Sequence, residues 1–248
     1  EAKAMIEAAA AGKPIADLRD ELGVRHTLWR IIDVDVIGRM QRAMADKKLI
    51  IADGHHRYET ALAYYRENPA VTAASRVMMT FVNIHSPGLA ILATHRVVAG
   101  LPAFDPDAAI AKAREAFSVQ EAASAAALTE WWKEPHAGAC RFGLAAGGRL
   151  LMLETPRPKE TLDVTIAHER VLGGVLGVTP EDVQEQRYVR YVRGLEAAIA
   201  QVRSGEAQAA VLLEPTPVSE VARVAFSGGV MPQKSTDFYP KLLSGLTI

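Results

Sequence analysis

Three side chains suited to holding an anion stand in a row at His55-His56-Arg57, directly after an Asp53-Gly54 pair. The apolar run ahead of them, Leu49-Ile50-Ile51-Ala52, reads as a buried strand, and residues 55–67 read as a helix stopped by Asn68-Pro69. Asp-Gly makes a tight turn because glycine adopts backbone conformations closed to other residues. The first amides of a helix lack intrahelical acceptors, and the helix dipole adds positive potential there. Two imidazoles and a guanidinium beside those amides form a site for phosphate or carboxylate. Gly54, His55, His56 and Arg57 are therefore candidate ligand-binding residues.

Carboxylates complete the cluster. Asp53 could serve as a base or hold the turn through an Asx hydrogen bond. Glu59 lies four residues beyond His55 on the same helical face. It could orient His55 or Arg57, bind a substrate amine, or form a surface ion pair. Asp53, Glu59 and His55 are the candidate catalytic groups. A metal-dependent hydrolase would need Asp53, one of the paired histidines and His95 around one ion. Adjacent histidines on a helix diverge by about 100°, so one faces ligand and the other the core. No residue is assigned as a metal ligand.

Two further segments carry suitable groups. Thr94-His95-Arg96 ends a strand, where the histidine is either a satisfied edge-strand residue or a ligand contact. Near the C-terminus, Gly228-Gly229, Pro232 and Pro240 rule out a long helix. The loop they enclose offers an ammonium and two hydroxyls at Lys234, Ser235 and Thr236, which suit phosphate oxygens. It lacks the glycine pattern of a P-loop. The alternative is a docking tail with Phe238 and Tyr239 packed and Lys234 solvated.

The Asp-Gly-His-His-Arg run resembles the nucleotide-binding motif of the ParB/sulfiredoxin superfamily, which includes partition proteins, sulfiredoxin and free serine kinases. A second resemblance spans the chain. Residues 53–62, the stretch from Gly88-Leu89 to Thr94-His95-Arg96, and the ending Met231-Pro232-Gln233-Lys234-Ser235-Thr236-Asp237-Phe238-Tyr239-Pro240-Lys241 are similar to the bacterial family called domain of unknown function 1015. That family usually has Pro before the Thr, where this chain has Ala93. Its members are longer at the N-terminus, so the resemblance implies that the chain is the back part of such a protein. The resemblance also raises the ligand-binding reading of Thr94, His95, Arg96, Lys234, Ser235 and Thr236, which are expected to close on the histidine pair.

Hydrophobic residues make up 49% of the 248, enough for a substantial core, and no apolar run has the length of a membrane span. Lys and Arg number 28 against 29 Asp and Glu, interleaved, which argues against a nucleic-acid surface and against chromosome partition. Cys140 stands alone, so neither an internal disulfide nor a thiolate metal cluster can form; a buried, inert thiol is expected. With no secretory signal, a bacterial cytoplasm is the expected location.

Periodicity predicts helices over residues 1–12, 36–46, 106–117, 122–132, 162–171, 195–203 and 217–226, and a helical turn or linker over 17–21. Strands are predicted over 25–33, 49–52, 76–84, 89–95, 188–192 and 209–213. A hairpin is predicted to join 140–146 to 150–154 through Gly147-Gly148. Segments 76–84 and 89–95 should form a second hairpin. The fold class is α+β: a mixed sheet with flanking helices, comprising a ParB/sulfiredoxin-like unit over 1–100, a second subdomain over 101–227 and a C-terminal loop over 228–248 returning to the site. The expected function is binding of a nucleotide or other phosphorylated small molecule, with phosphoryl transfer as the chemistry if catalytic and Mg²⁺ alongside a nucleotide. The rivals are a non-catalytic anion-sensing or protein-interaction module and the metal-dependent hydrolase.

Overall fold

The computed structural model describes every residue except 22, 233, 242, 244 and 246–248. The chain divides into two compact units, residues 1–57 with 240–248, and residues 58–239.

In the first unit, α1 (Ala2–Ala10) precedes an antiparallel pair of β1 (Ala16–Arg19) and β2 (Arg25–Leu28), in which Ala16 faces Leu28. The predicted helical turn or linker over 17–21 is therefore in part a strand. Asp17 shows why: its carboxylate accepts two hydrogen bonds from the Arg25 guanidinium across the pair, at 2.8 and 2.5 Å. Such a cross-strand charge pair favours extended backbone. α2 (Val34–Met44) starts where the Asp33 carboxylate accepts from the amides of Asp35 and Val36. α3 (His55–Glu67) begins at the first histidine, as expected.

Residues 49–52 are not the buried strand that their composition suggests. Leu49 and Ile51 are more than half exposed, and the run belongs to no sheet. Residues 76–84 depart in the same way. Val77, Met78, Met79, Phe81 and Val82 are all exposed, and the predicted hairpin with 89–95 does not form. Both runs have strand composition, but among the described residues neither finds a second strand to complete the hydrogen-bond ladder.

The second unit continues with β3 (Ala90–Leu92), β4 (Thr94–Val98), α4 (Pro106–Ala116), β5 (Ser118–Glu121), α5 (Ala125–Lys133), β6 (Ala139–Ala146) and β7 (Arg149–Pro156). Next come α6 (Asp163–Ile166), which runs on as π-helical turns over Ala167–Val175, and α7 (Pro180–Gln184), β8 (Val189–Arg193), α8 (Leu195–Arg203), β9 (Ala209–Leu212), α9 (Val218–Phe226) and β10 (Asp237–Tyr239). Six strands form one antiparallel sheet in the order β5-β7-β6-β9-β4-β8. β3 pairs instead with β10, so part of the predicted C-terminal loop becomes a strand. The fold is α+β.

Alternation along β6 explains the two-sided core. Cys140, Phe142, Leu144 and Ala146 face the cluster that includes Ile110 of α4 and Val171 and Leu172 of the π-helical stretch. Ala145 faces the opposite cluster, with Leu128 and Trp132 of α5 and Ile199 of α8. Each large aliphatic side chain removed from water contributes about 1.5–3 kcal/mol, so the two layers hold the sheet between the helices. The helices are stopped from fraying by their caps: Asp105 accepts from Asp107 and Ala108 amides, and Ser124 from Ala127. The Cys140 thiol is fully buried, and burial together with Asp163 pushes its pKa up to about 12. Among the described residues, no helix is long and apolar enough to cross a membrane.

Gly143 lets α5 approach the sheet. A Cβ added there would lie 2.6 Å from Leu128 Cδ2 and 3.0 Å from Leu212 Cβ, and both leucines are fully buried. Gly143→Ala is expected to lower the urea unfolding free energy by about 1–3 kcal/mol through overpacking. An unchanged unfolding midpoint would show that α5 has room to withdraw.

Candidate functional site

The turn before α3 is built on Gly54, whose φ of +84° belongs to the left-handed region. The position a Cβ would occupy is already taken: it lies 2.6 Å from an Arg57 guanidinium nitrogen. Arg57 thus folds back over the turn at the start of α3. His55 and His56 are exposed, with ring centroids 3.9 Å apart and planes tilted by 45°. The first amides of a helix have no intrahelical acceptor, and those of α3 begin at His55.

Asp53 meets Lys241, whose Nζ lies 3.4 Å from Oδ2. Partial burial pushes the Asp53 carboxyl up, but Lys241, the Gly54 amide and Arg57 outweigh it and hold the group below its ordinary range. Glu59 is exposed on α3. Lys241 was not singled out from sequence, although it closes the C-terminal motif; the motif itself was the available signal.

The second unit gathers the other two motifs. Thr94-His95-Arg96 opens β4 in the interior of the sheet, between β8 and β9. Arg96 is 1% exposed. Its Nε donates to His168 Nε2 at 3.0 Å, one terminal nitrogen donates to the Thr94 carbonyl, and the other to the Lys234 carbonyl at 3.3 Å. The Tyr191 ring lies 5.4 Å from the guanidinium carbon. These partners are neutral, and no carboxylate among the described residues pairs with Arg96. Burial lowers its pKa to about 10, with Tyr191 acting in the opposite sense.

Two histidines are kept neutral around it. His95 Nδ1 accepts from the Leu213 amide at 3.2 Å. His168 accepts through Nε2 from Arg96. Burial and the nearby Arg96 push both pKa values down to about 4. The metal-dependent hydrolase needs His95 as a ligand, but its ring is buried with Nδ1 accepting from the Leu213 amide, and no group of three His, Cys, Asp or Glu among the described residues is arranged to hold a metal.

Lys234 has a φ of +57°, unusual for a residue with a side chain. The turn around it is held by Ser235, whose amide and hydroxyl both donate to the Pro232 carbonyl, and by Thr216, which donates to the Ser235 carbonyl at 3.1 Å. Ser235 is buried, Thr236 half-buried, and Lys234 projects at the surface. Gln233 lies outside the described residues. Asp237, the next motif residue, accepts a hydrogen bond at Oδ1 from an Arg193 terminal nitrogen at 2.8 Å, and Arg193 Nε lies 2.5 Å from Oδ2 as an ion pair. The structure therefore joins Arg96 to the Lys234 loop within the second unit, while Asp53 to Arg57 belong to the first. His168 and Arg193 were missed because neither stands in a motif; only the strand over 188–192 and the helix over 162–171 were legible there.

The family described as Protein of unknown function (DUF1015) matches residues 1–173. The chain belongs to this family. No curated protein matches it. Among solved structures, a conserved hypothetical protein from Pyrococcus furiosus is similar at 18% identity and a TM-score of 0.42, over 75% of this chain and 68% of that one. A free serine kinase in complex with AMP is similar at 14% identity and a TM-score of 0.40, over 96% of this chain and 78% of that one. At such scores the likeness says nothing about chemistry in this DUF1015 protein.

The neutral histidines set the response to acid. Both bind a proton more readily when unfolded, near pH 6.5, than when folded, near pH 4. Their contribution to stability is therefore complete above about pH 6.5 and is lost as pH falls toward about 4. Urea unfolding across this range should show stability falling with pH. His168→Gln, which supplies an acceptor that does not titrate, should flatten the slope; an equal slope would remove His168 from the account.

Proposed function

We propose that this protein binds a phosphorylated small molecule, with a nucleotide as the first candidate, at the N-terminus of α3. The observation that carries this reading is the Arg57 guanidinium folded over the left-handed Gly54 turn, beside two exposed histidines at a helix start, where the first amides have no intrahelical acceptor. A phosphate placed there receives backbone hydrogen bonds from the helix start and a charge-assisted hydrogen bond from Arg57. Asp53 serves this arrangement by holding the turn and pairing with Lys241, not by taking protons, because its carboxyl stays ionised. If phosphoryl transfer follows binding, His55 and Glu59 are the groups of this cluster left to move a proton. Mg²⁺ would then accompany a nucleotide di- or triphosphate.

Calorimetric titration with pyrophosphate, AMP, ADP and ATP, with and without Mg²⁺, tests the reading. At least one compound should bind saturably. Arg57→Ala should weaken it about ten-fold or more, since a charge-assisted hydrogen bond contributes roughly 1.5–3 kcal/mol. Because Arg57 is exposed, the melting temperature without ligand should barely move. Gly54→Ala should both weaken binding, by displacing the guanidinium, and cost roughly 1 kcal/mol of stability. Full affinity in Arg57→Ala, or no binding by any of the four compounds, would favour the protein-interaction reading instead.

A further inference from the structure

A second place in the first unit has the makings of a site, independent of the α3 turn. α1 and α2 flank a cleft of about 320 Å³. Its wall is apolar where Met5 and Ala9 of α1 meet Ile31 and Val36. Met5 is the buried residue of α1. Arg30 and Arg39 complete the lining. Neither arginine forms an ion pair or hydrogen bond among the described residues, although Asp33 also lines the cleft. One oxygen of Asp33, Oδ1, caps α2 through the amides of Asp35 and Val36.

The chemistry of the occupant follows from these groups. Two guanidinium groups against the single Asp33 carboxylate leave the lining net positive, which favours a negative charge. The apolar wall favours a hydrocarbon body, which gains from leaving water. The volume sits at the small end of ligand pockets, about 300–1,000 Å³, so the occupant is one short chain or ring and not a peptide helix. We propose that this cleft binds a small single-tailed organic anion, a medium-chain carboxylate or alkyl phosphate, with the head on Arg30 and Arg39 and the tail against Met5 and Val36.

Methionine-methyl NMR of the full chain, labelled with ¹³C at the methyl groups, reads the cleft directly. Octanoate should shift the Met5 resonance saturably, and octyl phosphate should do the same. Octanol, with the same tail and no charge, should bind about ten-fold more weakly, as should octanoate to Arg30→Gln or Arg39→Gln. Ala9→Leu, which fills the cleft while leaving both charges, should abolish the shift. Octanol binding as tightly as octanoate, or shifts at the exposed Met78 and Met79 in place of Met5, would overturn the proposal. So would co-sedimentation with phosphatidylglycerol vesicles while octanoate leaves Met5 unmoved, which would assign the arginines to a membrane surface. Retained pyrophosphate binding in Arg30→Gln keeps this outcome separate from that of the α3 turn.

Discussion

A guanidinium that is 1% exposed must have its donors answered inside the protein, and much of the second unit is arranged around that requirement at Arg96. The answering groups come from three places far apart in sequence: Thr94 on the same strand, His168 in the π-helical stretch and Lys234 near the C-terminus. Each is a neutral acceptor, and together they take one hydrogen bond from each nitrogen of the guanidinium. The arrangement works only with His168 unprotonated, since a second cation there would remove an acceptor and add repulsion. Burial alone has a cost of several kcal/mol for a charge without good partners, which makes the loss of any one acceptor expensive.

That requirement also connects the C-terminal motif to the sheet. The Lys234 carbonyl can reach Arg96 with its own residue in a left-handed turn, and the turn is fixed by Ser235 and Thr216. A few residues on, Asp237 pairs with Arg193 and opens the strand that meets β3. The surface ammonium of Lys234 is thus presented by a rigid support. In the first unit a similar economy operates at Gly54, where a missing side chain leaves space that the Arg57 guanidinium occupies.

The sequence was most legible where local rules suffice. Helix starts at Asp105 and His55 follow from capping and turn chemistry, and the β6-β7 hairpin follows from Gly147-Gly148 between apolar runs. It misled where strand formation depends on a partner. Residues 49–52 and 76–84 have strand composition, yet stand outside every sheet described. Asp237–Tyr239, too short a run to read as a strand by itself, becomes one because β3 offers it a ladder. The candidate residues around Asp53 to Arg57, and both remaining motifs, could be picked out by residue type. What could not be read was who answers Arg96: His168 and Tyr191 sit in ordinary helix and strand patterns, and contacts spanning 72 and 138 positions leave no local trace.

The central claim is that the start of α3 holds a phosphate. Amide NMR of the ¹⁵N-labelled chain titrated with pyrophosphate tests it at the atoms concerned. The account expects the amides of His55, His56 and Arg57 to shift together and saturably, with the Arg57 Nε resonance moving alongside them. Shifts confined to other parts of the chain, or none at these amides when the compound is in excess, would contradict it.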